Sequence, residues 1–138
     1  MSASFIVDAS VGLAWVYQGQ ATPETDQLLN DVAAGATVIV PALWYLEMAN
    51  VLLIAQRRRR LTAVQRKAAL EKLTAMQFTV DEEGTHHAFG KISELAEKHG
   101  LTIYDATYLE LALRRSLPLA TRDGALKTAA KRCGVKAL

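Results

Sequence analysis

One cysteine, Cys133, stands in the whole 138-residue sequence. That excludes an internal disulfide, argues against a thiolate zinc site and fits a reducing, cytoplasmic setting. The expected role of Cys133 is that of a small buried hydrophobe. No run reaches the ~20 apolar residues that a membrane span needs. The opening residues, Met1 to Phe5, pass straight into a strand-like run without the charged start and apolar stretch of a signal peptide. A soluble intracellular protein is the expectation. Charge of one sign is also in short supply. Sixteen Lys and Arg stand against 14 Asp and Glu, so a net charge of +2 does not by itself announce a nucleic-acid binder. His86 and His87 are adjacent, so on a helix they diverge and cannot grip zinc as an i, i+4 pair; surface positions are expected. No repeat, linker or low-complexity tract divides the chain, and a chain of this length buries roughly 68% of its unfolded surface. One domain over residues 1–138 follows.

What is present is an alternation of short strands and helices. Phe5-Ile6-Val7, halted at Asp8, has the continuous apolar, β-branched character of a strand covered on both faces. Val11 to Tyr17 reads as the next helix, closed by Gly19. Thr22-Pro23-Glu24 supplies an N-cap, a first-turn proline and a first-turn acid for a helix ending at Gly35. Thr37 to Val40 is a second strand, stopped by Pro41. Leu43 to Ala55 is apolar on nearly every face and is expected to be a buried helix, running out into Gln56 and four arginines. Helices are expected from Thr62 to about Leu73, from Thr85 to His99 with Gly100 ending it, from a Thr102 cap to about Arg115, and over 125–132 with Gly134 as C-cap. Strands are expected at 77–80 and 117–120, with a possible edge strand at 135–138. Strands separated by helices throughout imply right-handed crossovers and a parallel sheet between helical layers.

Four acids fall where an apolar element ends or passes through. Asp8 ends the first strand, and taken alone is an N-cap. Asp105 stands third after Thr102 in a sequence resembling a capping box. Asp123, in Thr121-Arg122-Asp123-Gly124, lies in a turn that favours these residues for conformational reasons. Glu47 differs, because it interrupts an apolar helix, where an unpaired carboxylate costs several kcal/mol. An internal ion pair with an arginine or a subunit interface would compensate it, as would a metal. Asn50, three residues on, shares its face. Asp8, Asp105 and Asp123 all fall at carboxyl ends of strands or the helix starts beside them, where open α/β sheets bind ligands. Ser10 and Thr121 add hydroxyls there. Four carboxylates in one pocket are relieved by shared protons or by divalent cations, which points to metal-dependent chemistry on a phosphate.

Val7-Asp8-Ala9-Ser10, Glu47-Met48-Ala49-Asn50, Tyr104-Asp105-Ala106 and Thr121-Arg122-Asp123, in this order and spacing, resemble the PIN-domain ribonucleases, and specifically the VapC toxins of prokaryotic toxin-antitoxin pairs. The resemblance covers essentially the whole chain. It implies a three-layer α/β/α sandwich with a central, mainly parallel sheet of four to five strands. It also implies Mg²⁺- or Mn²⁺-dependent cleavage of RNA leaving a 5′-phosphate and a 3′-hydroxyl. The family's acidic quartet carries over to Asp8, Glu47, Asp105 and Asp123, with Ser10, Asn50 and Thr121 as polar companions. Asp8 and Asp105 are then direct or water-mediated metal ligands, with Asp123 and Glu47 holding metal-bound water or a second ion. Some relatives carry further acids near the last motif, whereas here Gly124-Ala125-Leu126 follows Asp123, which leaves a second metal open. A homodimer, a cognate VapB-type antitoxin and contact with DNA only through that antitoxin are further implications. The first helices are the candidate contacts for either partner.

Arg57, Arg58, Arg59 and Arg60, extended by Arg66 and Lys67, read either as a solvated helix end or as a phosphate-binding run. Arg122, inside the last motif, is a second candidate RNA contact. Arg114-Arg115 and Lys127, Lys131 and Arg132 could flank an RNA path, but no aromatic interleaving supports base stacking. Trp15, Tyr17, Trp44 and Tyr45 are expected in the core or an interface. A phosphotransfer receiver would want adjacent acids after the first strand, and a haloacid-dehalogenase-type phosphatase an aspartate at position 10; the chain has neither. A PIN nuclease that processes RNA without an antitoxin, and an idle PIN-like interaction domain, are the alternatives.

Overall fold

In the computed structural model, which describes residues 3–138, the first apolar run becomes strand β1 (Ser4–Val7). Met1 and Ser2, at the start of the chain, lie outside the described residues. Asp8 caps helix α1 (Ala9–Val16), which therefore begins two residues before the apolar pattern suggests. A 3₁₀ turn at Gln18–Gln20 leads to α2 (Pro23–Ala33), capped by Thr22 with Thr25 completing a reciprocal box. β2 (Thr37–Pro41) carries one residue further than expected, Pro41 pairing in register with Asp81. α3 (Leu43–Arg57) and α4 (Ala63–Ala75) follow, the latter opened by a Thr62–Gln65 capping box. β3 (Thr79–Asp81) starts later than 77–80, because Phe78 is used as a packing anchor, its ring 4.7 Å from that of Trp44.

The helix expected over 85–99 is broken. Gly84–His87 is a 3₁₀ turn and Ala88–Ile92 a wide π turn, and only Ser93–His99 (α5) is α-helical, ended by Gly100 in the left-handed region at φ 65°. Gly90 causes the break: its φ of −114° and ψ of −105° lie outside the helical region, where the lack of a Cβ makes them accessible. α6 (Ile103–Arg115), β4 (Leu119–Ala120) and α7 (Gly124–Arg132) complete the order. Of the edge strand at 135–138 only a parallel bridge from Ala137 to Leu119 forms.

The sheet runs β3-β2-β1-β4 with every pair parallel, a four-stranded realisation of the expected α/β class. α1 to α4 pack on one another as one helical group. α5, α6 and α7 form a second, with α6 against β1, β2 and β4. Ile6, Val7, Val40 and Leu119 are fully buried between them. The order turns back at β1, which has β2 on one side and β4 on the other, so the carboxyl ends of β1 and β4 form a topological switch point.

Two expectations about side chains change. α3 is not buried all round: Trp44, Met48 and Leu52 face the core, whereas Tyr45 and Leu46 are exposed. Trp15 is buried as expected and Tyr17 partly so. Cys133 is only partly buried, with its Sγ 3.3 Å from Nε2 of His99. No helix among the described residues is long and apolar enough to cross a membrane.

Candidate acidic site

The switch point gathers three of the four acids by backbone alone. Asp8 follows β1 and is 5% exposed. Its Oδ1 accepts from the backbone N–H groups of Ser10 (3.1 Å) and Val11 (3.3 Å) and from the Ser10 hydroxyl (2.5 Å). Its Oδ2 accepts from the hydroxyl of Thr121, a buried residue just after β4. The indole N–H of Trp44 donates to the Asp8 carbonyl at 3.2 Å, which ties α3 to the same turn. Capping and site formation therefore coexist in Asp8. Desolvation by burial outweighs these hydrogen bonds and holds its carboxyl above the ordinary 3.8.

The same two hydroxyls stitch the β4–α7 loop into place. Thr121 Oγ1 accepts from the Asp123 backbone N–H (3.0 Å), and Ser10 Oγ accepts from that of Arg122 (2.8 Å). Asp123 caps α7, accepting from Leu126 N–H at 2.8 Å, and is exposed. Thr102 caps α6 by accepting from the Asp105 N–H at 3.0 Å, which puts Asp105 in the first turn of a helix pointed at the site. Its carboxyl is raised by burial, then by the negative charges of Asp123 and Asp8.

Glu47 reaches the cluster from α3. Burial raises its carboxyl above the ordinary 4.5, and the charges of Asp105 and Asp8 add to the effect. The compensating arginine considered from sequence is not its partner. Tyr108 is: its Oη, on a ring 1% exposed, donates to Glu47 Oε1 at 2.5 Å. Burial and the neighbouring carboxylates push the Tyr108 phenol far up, so it stays a neutral donor. Sequence reading missed Tyr108. The available signal was its position three residues after Asp105, on the same face of α6.

Asp8 and Asp105 thus act on Glu47, and Asp8 and Asp123 act on Asp105; none of the four forms an ion pair with a basic side chain among the described residues. As the side chains stand, no three acidic, histidine or cysteine groups among the described residues converge closely enough to hold one ion. The donor chemistry nonetheless fits a hard divalent cation: clustered carboxylate oxygens, held apart by repulsion and lacking a positive counter-charge.

The other candidates are more scattered. Asn50 is exposed, without a side-chain hydrogen bond among the described residues. Arg57 to Arg60 are exposed at the far end of α3, ten residues and roughly 15 Å along the helix from Glu47. Arg122 lies beside the acids, its Nη1 donating to the Gln20 carbonyl at 2.6 Å. Arg114, considered above for an RNA path, is engaged elsewhere. It clamps buried Asp81 through two bonds (2.9 and 2.7 Å) and also binds Glu110 and Glu83. Arg115 adds a 3.4 Å contact to Asp81. This network, also missed from sequence, pins α6 to the end of β3 and so fixes the helix that carries Asp105 and Tyr108. Only the Glu110-to-Arg114 spacing of four signalled it.

Residues 5–132 match the family described as PIN domain. Among solved structures, the chain is similar to PAE2754 from Pyrobaculum aerophilum, at 23% identity over 99% of this chain and 85% of that one, with a TM-score of 0.65. It is also similar to VapBC2 from Rickettsia felis bound to a DNA fragment from their promoter, at 14% identity over 98% and 97% and a TM-score of 0.68. FitAcB from Neisseria gonorrhoeae gives 18% identity over 97% and 96% and a TM-score of 0.67. At such identities the likeness is one of fold. None of the curated proteins matches the chain.

Proposed function

The chain belongs to the PIN domain family, and from that premise we propose that it is a Mg²⁺- or Mn²⁺-dependent endoribonuclease serving as the toxin of a VapBC-type pair. The observation that carries the nuclease reading is the uncompensated cluster of Asp8, Glu47, Asp105 and Asp123 at the switch point. Asp8 and Asp105 are the residues to hold the cation, with Glu47 and Asp123 at its margin. Once bound, the cation supplies Lewis acidity toward water and phosphate and offsets the carboxylate charge.

The chain's own residues do the positioning. Ser10 and Thr121 fix both oxygens of Asp8, so its carboxylate is oriented before any ligand arrives. Thr121 also sets Asp123 relative to Asp8. Tyr108 holds Glu47 in place by a neutral bond, which leaves the negative charge of the cluster intact. Arg122 is the basic residue close enough to meet a flanking phosphate; Arg57 to Arg60 could meet only a more distant part of the strand.

The toxin role is supported by the VapC-like motifs and by the fold shared with VapBC2. On this reading the protein acts in the cytoplasm, works as a homodimer, is neutralised by a VapB-type antitoxin and reaches DNA only through it. Brief expression of wild type and Asp8→Asn, followed by sequencing of RNA 5′ ends, tests the proposal. New phosphorylated ends with the wild type alone are expected, and their suppression by the product of a neighbouring small gene would mark the antitoxin. No new ends in either strain would refute it.

A further inference from the structure

Between the start of α2 and the β4–α7 turn lies a cavity of about 340 Å³, with Val11, Thr22, Glu24, Thr121, Arg122 and Lys127 in its lining. That volume falls within the range of small-ligand pockets. Thr121 belongs to two sites at once, because it lines the cavity while its hydroxyl donates to Asp8 Oδ2. The cavity therefore begins one side chain away from the acidic cluster. Its two cations are uncommitted. Arg122 donates through Nη1 to the Gln20 carbonyl at 2.6 Å and to Gln20 Oε1 at 3.2 Å, neutral acceptors that hold the guanidinium in place and leave its charge unpaired. Lys127, near the start of α7 and half-buried, has no hydrogen bond or ion pair among the described residues. Partial burial of an ammonium without a counter-charge carries a desolvation cost that a bound anion offsets. The N-terminus of the 11-residue α2, the positive end of its dipole, opens on the same space. Glu24 is the acid of the lining, and it is exposed and paired with neither cation.

We infer that this cavity holds a backbone phosphate of the RNA strand next to the one cut at the acidic cluster, with Lys127 and Arg122 as its cationic contacts. No aromatic side chain lines the cavity, so what is recognised here is the charged backbone and not the bases. The two cations attract the strand whether or not a divalent cation occupies the carboxylates. The shared Thr121 keeps the two sites in fixed relation, so a strand seated on Lys127 and Arg122 is led toward Asp8. The inference rests on the nuclease reading above and adds the side of the acidic cluster along which the strand runs, between α2 and α7.

Fluorescence anisotropy of a labelled single-stranded RNA, in excess chelator and over a series of salt concentrations, tests it. The proteins are wild type, Lys127→Gln, Lys127→Arg and, as control, Lys98→Gln, which removes an exposed cation in the last turn of α5. Lys127→Gln is expected to bind about tenfold more weakly whatever the RNA sequence, and its plot of log affinity against log salt should be shallower by about 0.7, the slope of one phosphate contact on a single strand. Lys127→Arg and Lys98→Gln are expected to keep the wild-type slope. A lysine with a merely structural role would leave that slope unchanged, so a Lys127→Gln chain with the wild-type slope overturns the assignment. Displacement of the RNA by adenosine monophosphate at equal concentration would mark a pocket for a free nucleotide and overturn it too. Cleavage in Mg²⁺ is scored separately. A wild type that binds RNA through Lys127 but never cuts it sinks the nuclease reading and leaves the phosphate contact standing, whereas a wild type that binds no RNA overturns both.

Discussion

Replacing Tyr108 with Phe removes one hydroxyl and keeps the ring, so it isolates the bond that holds Glu47. The bond is short, at 2.5 Å, and the ring is 1% exposed. A hydrogen bond to an ionised partner contributes roughly 1.5–3 kcal/mol. Glu47 is half-buried and water recovers part of its solvation, so a loss near the lower end, about 1.5 kcal/mol, is expected. For a chain of this size that lowers the melting temperature by about 4–6 °C. The hydroxyl also opposes the burial and the Asp105 and Asp8 charges that raise the Glu47 carboxyl, so removing it raises that carboxyl further. At a given acidic pH less Glu47 is then ionised, and the acid limb of the cleavage profile moves to higher pH. Thermal melting in chelator and RNA cleavage measured from acid to neutral pH read the two effects separately. A variant that melts with wild type and keeps the acid limb in place would refute the role given to this bond.

The Asp81 network makes a pH prediction of opposite sign to the acidic site. Hydrogen bonding to Arg114 outweighs burial and, with Arg115, holds the Asp81 carboxyl below its ordinary 3.8. Its stabilisation is therefore fully present above that value and is lost as pH falls through the lowered one. Asp81→Asn is expected to cost about 3 kcal/mol at neutral pH, the low end for breaking a buried pair because Arg114 keeps Glu110 and Glu83. Its acid unfolding, followed by circular dichroism, should be shallower than that of wild type. Gly12→Ala places a Cβ 2.8 Å from both Met48 Sδ and Trp44 Cζ2, so denaturant melts should show a loss of about 1–3 kcal/mol. Because the Trp44 indole binds the Asp8 carbonyl, cleavage by this variant should fall by more than its remaining folded fraction explains.

Local signals in the sequence are reliable where one residue does one local job. The caps read at Asp8, Thr22 and Thr102 all form, and Thr62 and Asp123 cap their helices as well, because a side chain two or three residues from the N–H it meets needs no tertiary information. Those caps also mark helix starts around the switch point, so most of the acidic rim is legible in the order of residues alone. Contacts between distant residues are not. Tyr108 and Glu47 are 61 positions apart, and Asp81 and Arg114 are 33 apart, and nothing in their neighbourhoods names the partner. Composition misleads at α3, where apolar residues all round suggest burial but Tyr45 and Leu46 face outward. At Gly90 the apolar pattern continues through a backbone break that a single glycine permits.

The most direct test of the acidic site is cleavage of a defined RNA by purified wild type and Asp8→Asn, each with Mg²⁺ and with excess chelator. Asp8 is the acid whose two oxygens are both fixed by neighbouring hydroxyls, so the asparagine variant removes charge at the most rigid point of the cluster. Cleavage is expected with wild type and Mg²⁺ alone. Equal cleavage by Asp8→Asn, or cleavage by wild type that persists undiminished in chelator, would contradict a metal-dependent nuclease built on these four carboxylates.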